Sequence, residues 1–135
     1  MKYLLIFLVL FTSCAKKQEQ SHQEKEIKTT IKENISYVKA KVIEKNKISD
    51  INYTLKLLIL ESQNDENLPN FASENDTIVV SPSFYIDEKG FINQEDERNK
   101  NLLRLSYINI NDNIEVKLTH TLNKGWLILD FIKKL

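Results

Sequence analysis

The sequence predicts a mainly β domain: a small antiparallel barrel of five to six strands with a short helix or cap, preceded by an apolar leader and a flexible tether. Three observations predict it. Apolar and polar residues alternate with period two in three stretches, residues 36–42, 53–60 and 113–122. Polar, turn-forming segments separate these stretches at short spacing. One polar segment, residues 94–101, runs into Leu102, Leu103 and Leu105, the spacing of a short helix or irregular cap over residues 95–106. The chain has 135 residues, 41% hydrophobic and 28% charged, which suits one folded domain.

The elements follow in order. Val38, Ala40 and Val42 fall on one face of the first strand; Tyr37, Lys39 and Lys41 fall on the other. Residues 45–50 read as a polar connection. Tyr53, Leu55, Leu57 and Ile59 then share a face of a second strand, giving an antiparallel hairpin. Residues 61–75 read as a long polar loop. A third strand over residues 76–81 stops at Pro82, which cannot donate to a ladder; residues 83–86 read as a kinked continuation. Asp87-Glu88-Lys89-Gly90 is a turn, its glycine suited to positive φ. Ile114, Val116, Leu118, His120 and Leu122 share a face of the next strand, and Asn123-Lys124-Gly125 turns the chain into a last one, residues 126–132. That strand is apolar on both faces except at Asp130, as a covered strand is. Asn75-Asp76-Thr77-Ile78 and Asn111-Asp112-Asn113-Ile114 echo each other, each a turn leading at once into a strand. With only 2 glycines in the chain, asparagine is expected to supply left-handed turn positions.

The order hairpin, third strand, cap, hairpin resembles an OB-like barrel across residues 35–133, and the run from Leu103 to Val116 looks like the approach to the fourth strand of that fold. The resemblance is topological. A β-sandwich or an open α+β sheet fits the same strand pattern.

Residues 1–13 read as an export signal. Lys2 gives a positive start, and the apolar run at residues 3–11 is too short to span a bilayer, which takes about 20 residues, but suits the core of a secretory signal. Leu10-Phe11-Thr12-Ser13-Cys14 resembles the lipobox of bacterial lipoproteins, with Phe11 where leucine is usual. That resemblance implies cleavage before Cys14 and thioether linkage of its sulfur to diacylglycerol. The chain would then be anchored to the bilayer in the cell envelope. Ala15 rather than aspartate after the cysteine implies the outer membrane under the sorting rule of enteric bacteria. A plain secretory signal with a free cysteine is the alternative. Residues 14–34 hold the lipidated cysteine and a polar tether, in which only Ala15, Ile27 and Ile31 are hydrophobic after Cys14. The barrel domain is assigned to residues 35–135.

Chemistry is sparse. Nineteen basic and nineteen acidic side chains balance to zero, against a nucleic-acid partner. One cysteine and two distant histidines, His22 in the tether and His120, leave no thiolate or imidazole metal set, and no cofactor motif is present. His120 with Asp130 on the partnered strand is the nearest approach to a catalytic pair; a core or rim histidine is the plainer reading. Glu95, Asp96 and Glu97 beside Arg98 read as a solvated run. Three groups suit a partner: the outer stripe Tyr37, Lys39, Lys41; the aromatics Phe84, Tyr85 and Phe91; and Trp126 after Gly125, more simply a core-end residue. Asp76-Thr77-Ile78 matches a short O-glycosylation signal of some flavobacteria-like organisms. The expected function is therefore a non-enzymatic binding or structural module at the envelope, its partner a protein, glycan or lipid. The alternatives are an inhibitor or immunity protein that blocks a hydrolase or toxin with residues 61–75 or 85–101, and a hydrolase built on His120.

Overall fold

A computed structural model describes residues 33–135. The elements are β1 (Ser36–Lys47), β2 (Tyr53–Asn64), β3 (Thr77–Pro82), α1 (Glu97–Leu105), β4 (Asn113–Thr121) and β5 (Gly125–Lys134). The strands close into a barrel in the order β1-β2-β3-β5-β4, with β4 returning to β1. With one helix between β3 and β4, this is the OB-like arrangement. Four seams are antiparallel and one, β3 against β5, is parallel. Parity requires it: strand directions cannot alternate all the way round a closed ring of five. The parallel seam is also the shortest, three pairs from Val80↔Trp126 to Pro82↔Ile128, because Pro82 ends β3.

The period-two faces point as the sequence predicts, except at Leu122, which follows the end of β4 and is 69% exposed. Val38, Ala40, Val42, Tyr53, Leu55, Leu57, Ile59, Val80, Ile114, Val116, Leu118 and Ile128 fill the interior. Leu102 and Leu105 from α1 close one end. The interior is thus a packed core rather than a ligand cavity. The outer side of β5 is partly covered by α1, where Asn101 Nδ2 donates to Asp130 Oδ1 at 3.0 Å, which accounts for the apolar character of both β5 faces.

Four other boundaries differ from the sequence expectation. β1 continues through the expected polar connection to Lys47, paired with Tyr53, and β2 continues into the expected loop to Asn64, paired with Ser36. These ends are strand because their backbones pair, not because a face is apolar, so periodicity misses them. Residues 83–86 do not continue β3. Ser83 N donates to Ile128 O at 2.9 Å, and Ile86 then bridges Ile92 across a turn. Asn34, assigned to the tether, is buried at the barrel end: its Nδ2 donates to His120 O at 2.8 Å and its Oδ1 accepts from His120 N at 2.7 Å.

The echoed Asn-Asp phrases prove to be one device used twice. Asn75 and Asn111 are the two non-glycine residues with positive φ among the described residues, at 68° and 74°. Asn75 N donates to Ile59 O and Ile59 N donates to Asp76 O; Asn111 N donates to Val42 O and Val42 N donates to Asp112 O. Each pair therefore docks on a single residue of a neighbouring strand and starts β3 or β4 in register. Asn111→Ala should cost about 1 kcal/mol, because alanine strains the left-handed position, whereas Asn111→Gly should be nearly neutral. Urea unfolding with an unchanged denaturant slope is the measurement.

Candidate functional site

The barrel has two dissimilar ends. Residues 33–35 enter beside residues 65–76 and the 122–124 turn. Ile35 N donates to Pro69 O, and Asn34 is fastened to β4 at His120. At the other end lie the 48–52 turn, residues 83–96, α1 and residues 106–112. The Tyr53 hydroxyl there donates to Leu102 O at 2.7 Å, and the Lys45 ammonium donates to Ile108 O at 2.8 Å. Desolvation holds Lys45 below the usual lysine range, with the nearby Lys47 charge adding to it.

The most built feature of the helix end is a short hairpin, residues 85–93. Its tip is the expected turn, with Gly90 at φ 84°. Asp87 organises it: Oδ1 accepts from Lys89 N and Phe91 N, both at 2.9 Å, and the backbone of Asp87 exchanges bonds with Gly90 and Phe91. Its base is held by Asn99 of α1, which is fully buried. Asn99 Oδ1 accepts from Tyr85 N at 2.7 Å, while Nδ2 donates to Tyr85 O at 2.9 Å and Asn93 O at 2.7 Å. The side-chain amide thus serves Tyr85 as a neighbouring strand would. Asp96 caps α1, accepting from Arg98 N and Asn99 N, and its pairing with the Arg98 side chain holds the carboxyl below the usual range.

Between this hairpin and α1 lies an open groove of about 490 Å³, lined by Ile51, Gly90, Phe91, Ile92, Gln94 and Leu103. Phe91 is 67% exposed and Ile51 51%. A polar clasp stands beside it: Lys47 Nζ sits 2.7 Å from Asp50 and 3.6 Å from the centre of the Tyr107 ring, and the Tyr107 hydroxyl donates to Asp50 Oδ2 at 2.6 Å. Lys47 first, and Tyr107 second, hold the Asp50 carboxyl below its ordinary range. No protein-family model, curated protein or solved structure matches the chain. The reading of this end therefore rests on its geometry.

The three aromatics singled out in the sequence divide. Phe84 packs against the core, while Tyr85 and Phe91 stay exposed on the hairpin. The Arg98 guanidinium lies over the Tyr85 ring at 5.1 Å. The outer stripe of β1 is present, but its charge is largely answered: Lys39 pairs with Glu61 at 2.7 Å, and Lys117 lies 5.6 Å from the Tyr37 ring centre. Lys41 makes no ion pair among the described residues. Trp126 packs partly on the core and meets His120 edge-on, ring centres 5.0 Å apart.

His120 and Asp130 are not brought together. His120 lies across from Trp126, whereas Asp130 lies across from Lys117 and binds Asn101. Glu95 and Glu97 flank Lys100 rather than converging on a cation site, and no metal-holding cluster occurs among the described residues. Thr77 is the exposed first residue of β3. The leader, Cys14, His22 and tether residues 15–32 lie outside the described residues, and no described helix is long and apolar enough to cross a membrane.

Sequence reasoning missed Asn99, and likewise Asn70, whose side chain ties residues 65–76 to Ser62 and Asn64. A signal for Asn99 was present. Asparagine is a weak helix former, so one between a capping Asp96 and the apolar Leu102 asks for a bonding role.

Proposed function

We propose that the protein is a lipid-anchored lipoprotein of the bacterial envelope whose barrel acts as a non-enzymatic binding module. The observation that carries this reading is the N-terminal sequence: Lys2, the short apolar run of residues 3–11, and the chain's sole cysteine directly after it. The polar residues 15–32 support it, since they offer little apolar surface to order them and would serve as a spacer between bilayer and barrel. Acyl chains contribute about 0.8 kcal/mol per buried CH₂, so two or three would anchor the chain durably. Expressed with radiolabelled palmitate, the wild type should take up label and fractionate with membranes, and Cys14→Ala should lose both properties. Equal labelling of the variant, or an intact leader on the mature chain by mass spectrometry, would overturn the reading.

One observation favours a second reading, an inhibitor or immunity protein: the hairpin at residues 85–93. It is tied by several hydrogen bonds and carries exposed side chains at Tyr85, Ile86 and Phe91, as a segment that enters another protein's cleft needs to be. A single stoichiometric enzyme recovered with the tagged full-length protein, and losing activity when bound, would favour this reading over a glycan, lipid or assembly partner.

A further inference from the structure

Three tripeptides of the chain have the form of an N-glycosylation acceptor, an asparagine followed two residues later by serine or threonine: Asn34-Ile35-Ser36, Asn52-Tyr53-Thr54 and Asn75-Asp76-Thr77. As strings they are equivalent; the fold separates them. An acceptor needs its side-chain amide accessible and unengaged, because that nitrogen must reach a sugar held by a membrane enzyme. It also needs the hydroxyl two residues on, by which the enzyme recognises the segment.

Asn34 fails on both counts. It is 2% exposed with its Nδ2 committed to His120 O, and Ser36 is fully buried with its hydroxyl bonded to Asn70. Asn75 is exposed, but it stands at φ 68° with its backbone docked on Ile59, and Thr77 is already in β3, paired with Leu58. Lifting that segment into an enzyme would part β3 from β2.

Asn52 meets both needs. It is exposed at the end of the 48–52 turn, and its backbone bonds all stay within that turn, to Ile48 and Ser49. Tyr53 points into the core and is 2% exposed, so Asn52 and Thr54 on either side of it face outward together. Thr54 lines an open recess of about 110 Å³, and it precedes the β2–β3 pairing, which begins at Leu55. Neither the Asn52 amide nor the Thr54 hydroxyl has a hydrogen-bond partner among the described residues. Asp50, paired with Lys47 yet half exposed, also supplies the acidic residue that bacterial acceptor signals carry two places before the asparagine; residues 32 and 73 are lysine and serine.

We infer that Asn52 is an N-glycosylation site. The inference rests on the export part of the proposed function, because the sugar donor, an oligosaccharide on a polyprenyl pyrophosphate, is met outside the cytoplasm. In the transfer, Asn52 Nδ2 attacks the anomeric carbon of the donor. The new C–N bond forms as the C–O bond to pyrophosphate breaks. The lipid pyrophosphate leaves with that electron pair, and Nδ2 gives up one proton to a base of the transferase. The product sets a bulky polar group beside the exposed Ile48 and Ile51.

Mass spectrometry of the full-length protein isolated from its native cells tests this. Trypsin releases residues 48–56 as one peptide, with Asn52 its sole asparagine. That peptide should carry the added mass of an oligosaccharide. Asn52→Gln should lose the added mass. So should Thr54→Val, which keeps the asparagine and the side-chain shape but removes the hydroxyl, while Thr54→Ser should retain it. Circular dichroism of the three variants should match the wild type, since both side chains face outward. A bare 48–56 peptide on a leader-cleaved chain would overturn the inference and spare the envelope reading. So would added mass that persists in Thr54→Val, or sugar found on Asn34 or Asn75 instead. An intact leader on the isolated chain would overturn both.

Discussion

Asn99→Ala is expected to destabilise the barrel by about 2 kcal/mol and to loosen the hairpin at its base. Tyr85 N loses its partner outright, while Tyr85 O and Asn93 O lose their shorter bonds and keep Asn93 N at 3.2 Å and Asp96 N at 3.4 Å as donors. An unsatisfied buried group costs about 1–3 kcal/mol, a bond lost where another remains costs about 0.5–1.5 kcal/mol, and water near the surface recovers part of the loss. Alanine returns a few tenths of a kcal/mol, at most about 0.7, through its better helix propensity. For a domain of this size the melting temperature should fall by on the order of 10 °C. Amide exchange should accelerate at Tyr85 and Asn93 well before it does in β1 or β4, which distinguishes a freed hairpin from uniform weakening. Asn99→Asp is the sharper variant. It keeps the acceptor for Tyr85 N but turns a carboxylate oxygen towards Tyr85 O and Asn93 O, so it should be at least as damaging near neutral pH. Exchange at Tyr85 no faster than in the wild type would remove Asn99 from this role.

The fold was legible wherever one strand face is buried and the other wet. Val38-Lys39-Ala40-Lys41-Val42 admits one face assignment, since a slip by one residue would bury two lysines. The left-handed turns were legible too. Asn75 and Asn111 each stand before an Asp and a strand in a chain with 2 glycines, and both take positive φ. Strand length was not legible, because Glu44, Asn46, Glu61 and Asn64 are held by backbone pairing across the β1–β2 hairpin and not by an apolar face. The candidate site was half legible. Three aromatic residues in an otherwise polar stretch marked residues 84–91, but which of them would face out depends on Asn99, fourteen residues beyond Tyr85, and on Ile51 in a turn between two other strands. A bond network that joins separate elements has no local pattern from which to read it.

Tyr53 ties the barrel to the helix that shapes the groove. It begins β2, is 2% exposed, and its hydroxyl donates to Leu102 O at 2.7 Å. Leu102 faces the core while its neighbour Leu103 lines the groove, so the seating of α1 on Tyr53 sets where the groove wall stands. Tyr53→Ala should cost about 3–5 kcal/mol, as large aromatic truncations in cores do. Small domains have about 5–15 kcal/mol in all, so this variant should be largely unfolded under mild denaturant. Tyr53→Phe keeps the ring and removes only the hydroxyl. Leu102 O still accepts from Ser106 N at 3.2 Å, so the loss should be near 1 kcal/mol and the groove should persist. The pair of variants differs further in alkali. Burial pushes the Tyr53 phenol well above its ordinary range, so the folded state favours the protonated form. That preference is fully expressed below the unfolded value of about 10 and is lost as pH rises through the folded one. Wild-type stability should therefore decline above about pH 10, and the decline should be shallower in Tyr53→Phe. Chemical denaturation between neutral pH and strong alkali measures both slopes. Equal alkaline slopes in the two proteins would mean that the hydroxyl is solvated and that α1 is seated by Leu102 and Leu105 alone.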